Sequence, residues 1–130
     1  MTPLARSAFL LAGLAATTVH AADFDGSKRL ICAPVTALEC PANRACSKEL
    51  PADLGLPAFL RIDFARKVIV GPKRTTPIAH MDSSDKQLLL QGFELGFAWS
   101  LALDKGDGLM SATLTDRNGA FVFSGPCTPD

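Results

Sequence analysis

The sequence predicts an all-β fold, an antiparallel meander of about seven strands forming a small barrel or sandwich. Three observations predict it. Turn-forming residues recur about every 8–12 positions. Between the turns, apolar and polar side chains alternate with period 2, the pattern of a strand with one buried face. No segment sustains a 3.6-residue period over the length of an ordinary helix.

The elements follow in order. Lys28–Cys40 (KRLICAPVTALEC) is rich in β-branched residues, and Pro34 within it points to an edge strand or a bulge. Residues 41–57 hold three prolines and few apolar side chains and read as a loop. A short helical turn is expected near 47–53, capped by Ser47 with Leu50 turned inward. In AFLRIDF (58–64), Leu60, Ile62 and Phe64 alternate with Arg61 and Asp63. A turn at Ala65–Arg66 leads into KVIVG, which Gly71-Pro72 ends. TPIAHM forms the next strand, and the polar Asp82–Asp85 turns it into KQLLLQG. In ELGFAWSLALD, Phe97, Trp99, Leu101 and Leu103 alternate with Ala98, Ser100 and Ala102. Small residues on that second face suggest close packing against an opposing sheet or barrel wall. DKGDG is a turn, LMSATLT a strand, and DRNG a hairpin turn with Asn118-Gly119 as its signal. AFVFSG brings Phe121 and Phe123 to one face.

The N-terminus reads as an export signal over residues 1–21. Arg6 precedes an apolar stretch from Ala8 to Ala16, and Val19 and Ala21 occupy the small-residue positions of a cleavage site. The stretch is shorter than the roughly 18–20 residues that span a bilayer, so a cleaved leader is expected and not an anchor. Residues 22–130 then form one soluble, disulfide-stabilised domain, periplasmic or secreted. The four cysteines fall in that domain, and in an exported chain they read as two disulfides. Of three connectivities the spacing favours Cys40–Cys46, closing the CPANRAC loop, and Cys32–Cys127, tying the first strand to the last. A zinc site is disfavoured, because no CxxC pair is present.

Charge selects no partner. The chain carries 13 basic and 13 acidic side chains, a balance without the footprint of a nucleic-acid binder. Arg61, Arg66, Lys67, Lys73 and Arg74 cluster in one stretch. They read first as the solvated face and turns of a hairpin and second as a candidate binding surface.

Candidate chemistry is sparse. His80 lies beside Asp82, Ser83, Ser84 and Asp85, the ingredients of a hydrolase, yet all sit in one expected hairpin and no glycine-flanked nucleophile accompanies them. Asp104 and Asp107 resemble part of a calcium loop, but Lys105 and Gly106 interrupt the alternation of ligands and no downstream glutamate follows. No carboxylate pair, phosphate loop or cofactor motif is evident. Trp99, amid apolar neighbours at period 2, reads as a core anchor. With Phe97 and Leu101 it could instead line a ligand pocket inside a barrel.

Three segments, LPAFLRIDF (Leu56–Phe64), LLLQGFELGFAWSLALDKGDGLMSATL (Leu88–Leu114) and FVFSGPCTP (Phe121–Pro129), together resemble an uncharacterised family of small exported proteins of Gram-negative bacteria. The shared pattern is Leu-Gln-Gly, a Trp-Ser strand, a glycine turn and a C-terminal Phe-Gly-Cys-Thr arrangement. The resemblance implies a periplasmic β-domain and supplies no activity. In overall design the expected disulfide-closed barrel is also similar to the bacterial lysozyme inhibitors, whose inhibitory motifs are not evident here. The reading that follows is a non-enzymatic binding or protective module, without cofactor, acting on a protein or envelope component. The alternatives are a carrier of a small apolar ligand and an inhibitor of lysozyme-inhibitor-like design.

Overall fold

A computed structural model describes residues 23–130; the export signal read over residues 1–21 lies outside them. Eleven strands are present: β1 (Leu30–Cys32), β2 (Thr36–Pro41), β3 (Ser47–Glu49), β4 (Leu60–Asp63), β5 (Val68–Val70), β6 (Thr75–Pro77), β7 (His80–Ser83), β8 (Gln87–Glu94), β9 (Phe97–Asp104), β10 (Leu109–Asp116) and β11 (Gly119–Pro129). All their pairings are antiparallel, and the main path runs β6-β5-β4-β1-β11-β10-β9-β8-β7. The sheet curls into a half-barrel. It consists of two meanders, β4–β6 and β7–β11, joined through β1, which lies between β4 and β11.

The expected strand number of about seven becomes eleven for identifiable reasons. Lys28–Cys40 is two strands, because Pro34 offers no backbone donor and the chain bends there. Ala33 N and Val35 N on either side of it donate to Pro126 O (3.0 Å) and Ser124 O (2.9 Å). β1 thus pairs with the end of β11 and β2 with its beginning. Likewise TPIAHM is split. Beyond Pro77, Ile78 N still bonds back to Lys67 O (2.9 Å), whereas Ala79 N bonds to Gln91 O (2.8 Å). β6 and β7, the two ends of the main path, are therefore consecutive pieces of one segment.

The helical turn expected near 47–53 is not formed. Ser47–Glu49 is β3, paired to β2, and residues 51–55 form turns bonded to Leu50 O, Pro51 O and Ala52 O. Pro51 and Gly55 leave too little chain between them for a helix to propagate. Two turn positions also shift. The β4–β5 loop spans residues 64–67, since Asp63 pairs with Val68, and Asp63 Oδ1 accepts from Arg66 N at 3.0 Å. In the last hairpin Asp116 pairs with Gly119, so Arg117 and Asn118 form the loop. Gly119 opens β11 at φ 148°, where a Cβ would strike Cys40 O.

Both disulfides join the residues that the spacing favours, Cys32–Cys127 and Cys40–Cys46, and no cysteine is free. Cys32 and Cys127 stand directly opposite in the β1–β11 register, buried in the core. The bridge therefore lies in the middle of the sheet, while the curl is completed elsewhere, at Ile78–Ala79. Gly125 allows the close β1–β11 contact beside the bridge, because a Cβ there would overlap Ala33 O.

The core shows the period-2 reading in three dimensions. Leu30, Ile62, Leu90, Leu103 and Met110 are fully buried, and the paired Leu103 and Met110 mark one end of the curl. Phe24 rests on Gly108, and Phe64 and Leu88 adjoin Gly26. That end is packed shut. In the chain-entropy account, converting Cys32 and Cys127 together to alanine is expected to cost about 4–5 kcal/mol, and the Cys40/Cys46 pair about half as much. Urea unfolding of the two double variants measures the difference; equal losses would refute it.

Candidate functional site

At the other end of the curl the interior stays open. A cavity of about 620 Å³ is bounded by β9, β10 and β11 on one side and by β4 and β5 on the other. Phe97, Trp99 and Leu101, the candidate pocket residues, all line it. They do so because their strand alternates, and the inward positions in register with them on β10 and β11, Ala112, Leu114, Phe121 and Phe123, continue the same wall, which faces Leu60 and Ile69. Ala112 stands in register with both Leu101 and Phe123, so a small side chain faces the interior between two large ones. The volume falls within the about 300–1,000 Å³ typical of small-molecule sites.

Trp99 is the chain's only tryptophan. It is opposite Gly92 in the β8–β9 ladder, and a Cβ on Gly92 would come within 2.6 Å of the indole Cζ2. Gly92 is therefore the space into which the ring fits. The indole Nε1 is buried and has no hydrogen-bond partner, an arrangement that costs about 1–3 kcal/mol. The rest of the wall is mostly apolar, with the hydroxyls of Thr76, Ser100 and Thr113 among the lining and the last two hydrogen-bonded to each other at 3.0 Å, so the site can hold hydrocarbon or aromatic surface.

Charge is confined to the rim. The turns of residues 52–57 bring Leu54, Leu56 and Pro57 to the mouth, the β5–β6 turn brings Pro72, Lys73 and Arg74, and the β8–β9 hairpin brings Glu94 and Leu95. Gly71 N closes the β5–β6 turn on Arg74 O at 2.9 Å. Arg74 Nη1 lies 3.6 Å from Glu94 Oε1, linking two rim elements by a partly exposed pair of modest strength.

The five cations read as one basic surface are not brought together. Arg66 and Lys67 occupy the turn before β5, whereas Lys73 and Arg74 occupy the turn after it, about 10 Å of strand away. Arg61 lies on β4, its Nε 3.2 Å from Asp130 Oδ2. Sequence proximity here reflects a hairpin with a cation at each end. Only Lys73 and Arg74 adjoin the cavity.

Of the other polar candidates, Ser83, Ser84, Asp104 and Asp107 serve the fold. His80 and Asp82 lie on β7, exposed, opposite Gln91 and Leu89. Ser83 Oγ accepts from Lys105 Nζ at 2.8 Å, and Ser84 Oγ accepts from Gln87 N. In DKGDG, Asp104 Oδ1 accepts from Gly106 N (2.6 Å) and Asp107 Oδ1 from Leu109 N (2.9 Å); both carboxylates shape the turn. Among the described residues no cluster of three His, Cys, Asp or Glu side chains is arranged to hold a metal ion.

The sequence marks only part of the rim, Lys73 and Arg74. The rim's leucines and prolines sit in a stretch read as loop, and Leu95-Gly96 lacks the Asn-Gly or Asp-Gly signal of a two-residue hairpin and lies inside a longer alternating run. No family model, curated protein or solved structure matches the chain.

Gly92→Ala is expected to push the indole aside, lowering stability by about 1–3 kcal/mol and shifting the emission of Trp99. Fluorescence-detected unfolding reads both at once, and an unchanged spectrum with an unchanged midpoint would contradict this packing.

Proposed function

We propose that the protein is a non-enzymatic, exported module that binds a small apolar ligand in the open end of its half-barrel. The observation that carries this reading is the cavity itself: it is concave, lined mainly by aromatic and aliphatic side chains with a few hydroxyls, and charged only at its mouth. A folded domain of this size would ordinarily fill such a space with its own side chains. Here the far end is filled and the near end is not.

The cysteine chemistry supports an oxidising compartment. With every described cysteine in a disulfide, the domain suits an oxidising environment. Among the described residues no helix is long and apolar enough to cross a membrane. The expected export signal and the resemblance to small exported Gram-negative proteins favour the periplasm. The ligand reading is preferred to a protein-binding basic hairpin because the cations of that hairpin point to two separate places, one of which is the cavity mouth.

Because Trp99 is the sole tryptophan and tyrosine is absent, its emission reports directly on the site. Titration with N-phenyl-1-naphthylamine and with alkanoates of increasing chain length is expected to perturb that emission saturably. Leu114→Phe, which places a larger ring in the cavity, is expected to weaken binding about tenfold or more while leaving a cooperative unfolding transition. Native mass spectrometry of the exported protein tests for a retained ligand. No response to any probe, with an unliganded native mass, would end this proposal.

A further inference from the structure

The hairpin between β8 and β9 carries a residue that serves the fold poorly. Its two loop residues, Leu95 and Gly96, have φ of 49° and 85°, the pattern of a type I′ turn. The first position of such a turn ordinarily holds Asn, Asp or Gly, because a bulky L side chain is unfavourable in left-handed backbone. Leu95 holds it nonetheless, and its side chain is 72% exposed, so no packing compensates. Two residues earlier Phe93, on the outward face opposite Ala98, is 75% exposed. Strain combined with exposed apolar surface points to use outside the fold.

The setting indicates the use. Leu95 belongs to the cavity rim together with Lys73 and Arg74. Arg74 is balanced by Glu94, whereas among the described residues no carboxylate lies within ion-pair distance of Lys73. Apolar side chains projecting beside a cationic rim are the two components of reversible binding to an anionic lipid surface.

We propose that the mouth of the cavity docks onto an anionic phospholipid surface. Phe93 and Leu95 enter the boundary between headgroups and acyl chains, and Lys73, with Arg74, meets the phosphates. The cavity then opens onto the layer that supplies its apolar ligand. This deepens the ligand-binding reading by naming the source of the ligand, and it can fail separately from it.

The test is sedimentation of the exported chain with vesicles of phosphatidylcholine alone and of phosphatidylcholine containing phosphatidylglycerol. Binding is expected to the anionic vesicles only, and to weaken with salt. Lys73→Glu is expected to lower partitioning about fivefold or more. Leu95→Asn creates an Asn-Gly turn, so it is expected to raise the melting temperature by several degrees while lowering partitioning about tenfold. Phe93→Ser should lower partitioning similarly. A variant that folds better and binds vesicles worse separates this role from a structural one. Undiminished partitioning in the Phe93→Ser, Leu95→Asn double variant would overturn the proposal. So would a wild-type chain that stays in the supernatant, or one whose exposed tip proves to hold a dimer in size-exclusion chromatography. Probe uptake in solution without vesicle binding removes the docking surface alone; vesicle binding without uptake removes the cavity reading alone.

Discussion

The contact between β1 and the end of β11 is the joint on which the architecture depends. Three residues, Leu30–Cys32, connect the β4–β6 meander to the β7–β11 meander. Such a short strand supplies few backbone hydrogen bonds, and the Cys32–Cys127 bridge crosses it at the register position that points into the core. The neighbouring bend at Pro34 is possible only because Gly125 presents no Cβ to Ala33 O. A proline, a glycine and a disulfide within a few ångströms therefore determine how the two halves face each other. The cavity lies between those halves.

Given that joint, the difference between the two ends of the curl follows from side-chain volume. At the closed end Leu103 and Met110 pair and are fully buried, and Phe24 and Phe64 fit against glycines at the edge. At the open end the wall alternates large residues with Ala112. The indole of Trp99 lies back over Gly92 and keeps a donor buried without a partner. Packing alone would not select either arrangement.

Much of this was legible in the residues. Phe97, Trp99 and Leu101 lie on one face because period 2 leaves them no alternative, and alternation does not depend on tertiary context. The cysteine pairing was legible for a related reason, since a bridge between the first and last strands of the chain needs them adjacent in the sheet. What escaped was whatever depends on contacts distant in sequence. β3 is Ser-Lys-Glu, without apolar alternation, and is a strand only because β2 holds it. The basic residues of 61–74 are neighbours in the chain but are separated by the length of β5. Of the mouth only Lys73 and Arg74 were legible, because its members come from three loops that meet only when the sheet has curled.

The smaller disulfide has a consequence for how the molecule behaves in a crowded compartment. β2 exposes one of its edges, and β3 covers part of it with three residues, two of them charged, opposite Ala37–Glu39. A strand that short would not remain in place unaided. The Cys40–Cys46 bridge shortens the connection and tethers it there. The outermost backbone that a neighbouring molecule meets is then brief and hydrophilic, a poor template for strand addition. In this view Cys40–Cys46 acts less to keep the chain folded than to keep one folded copy from recruiting the next.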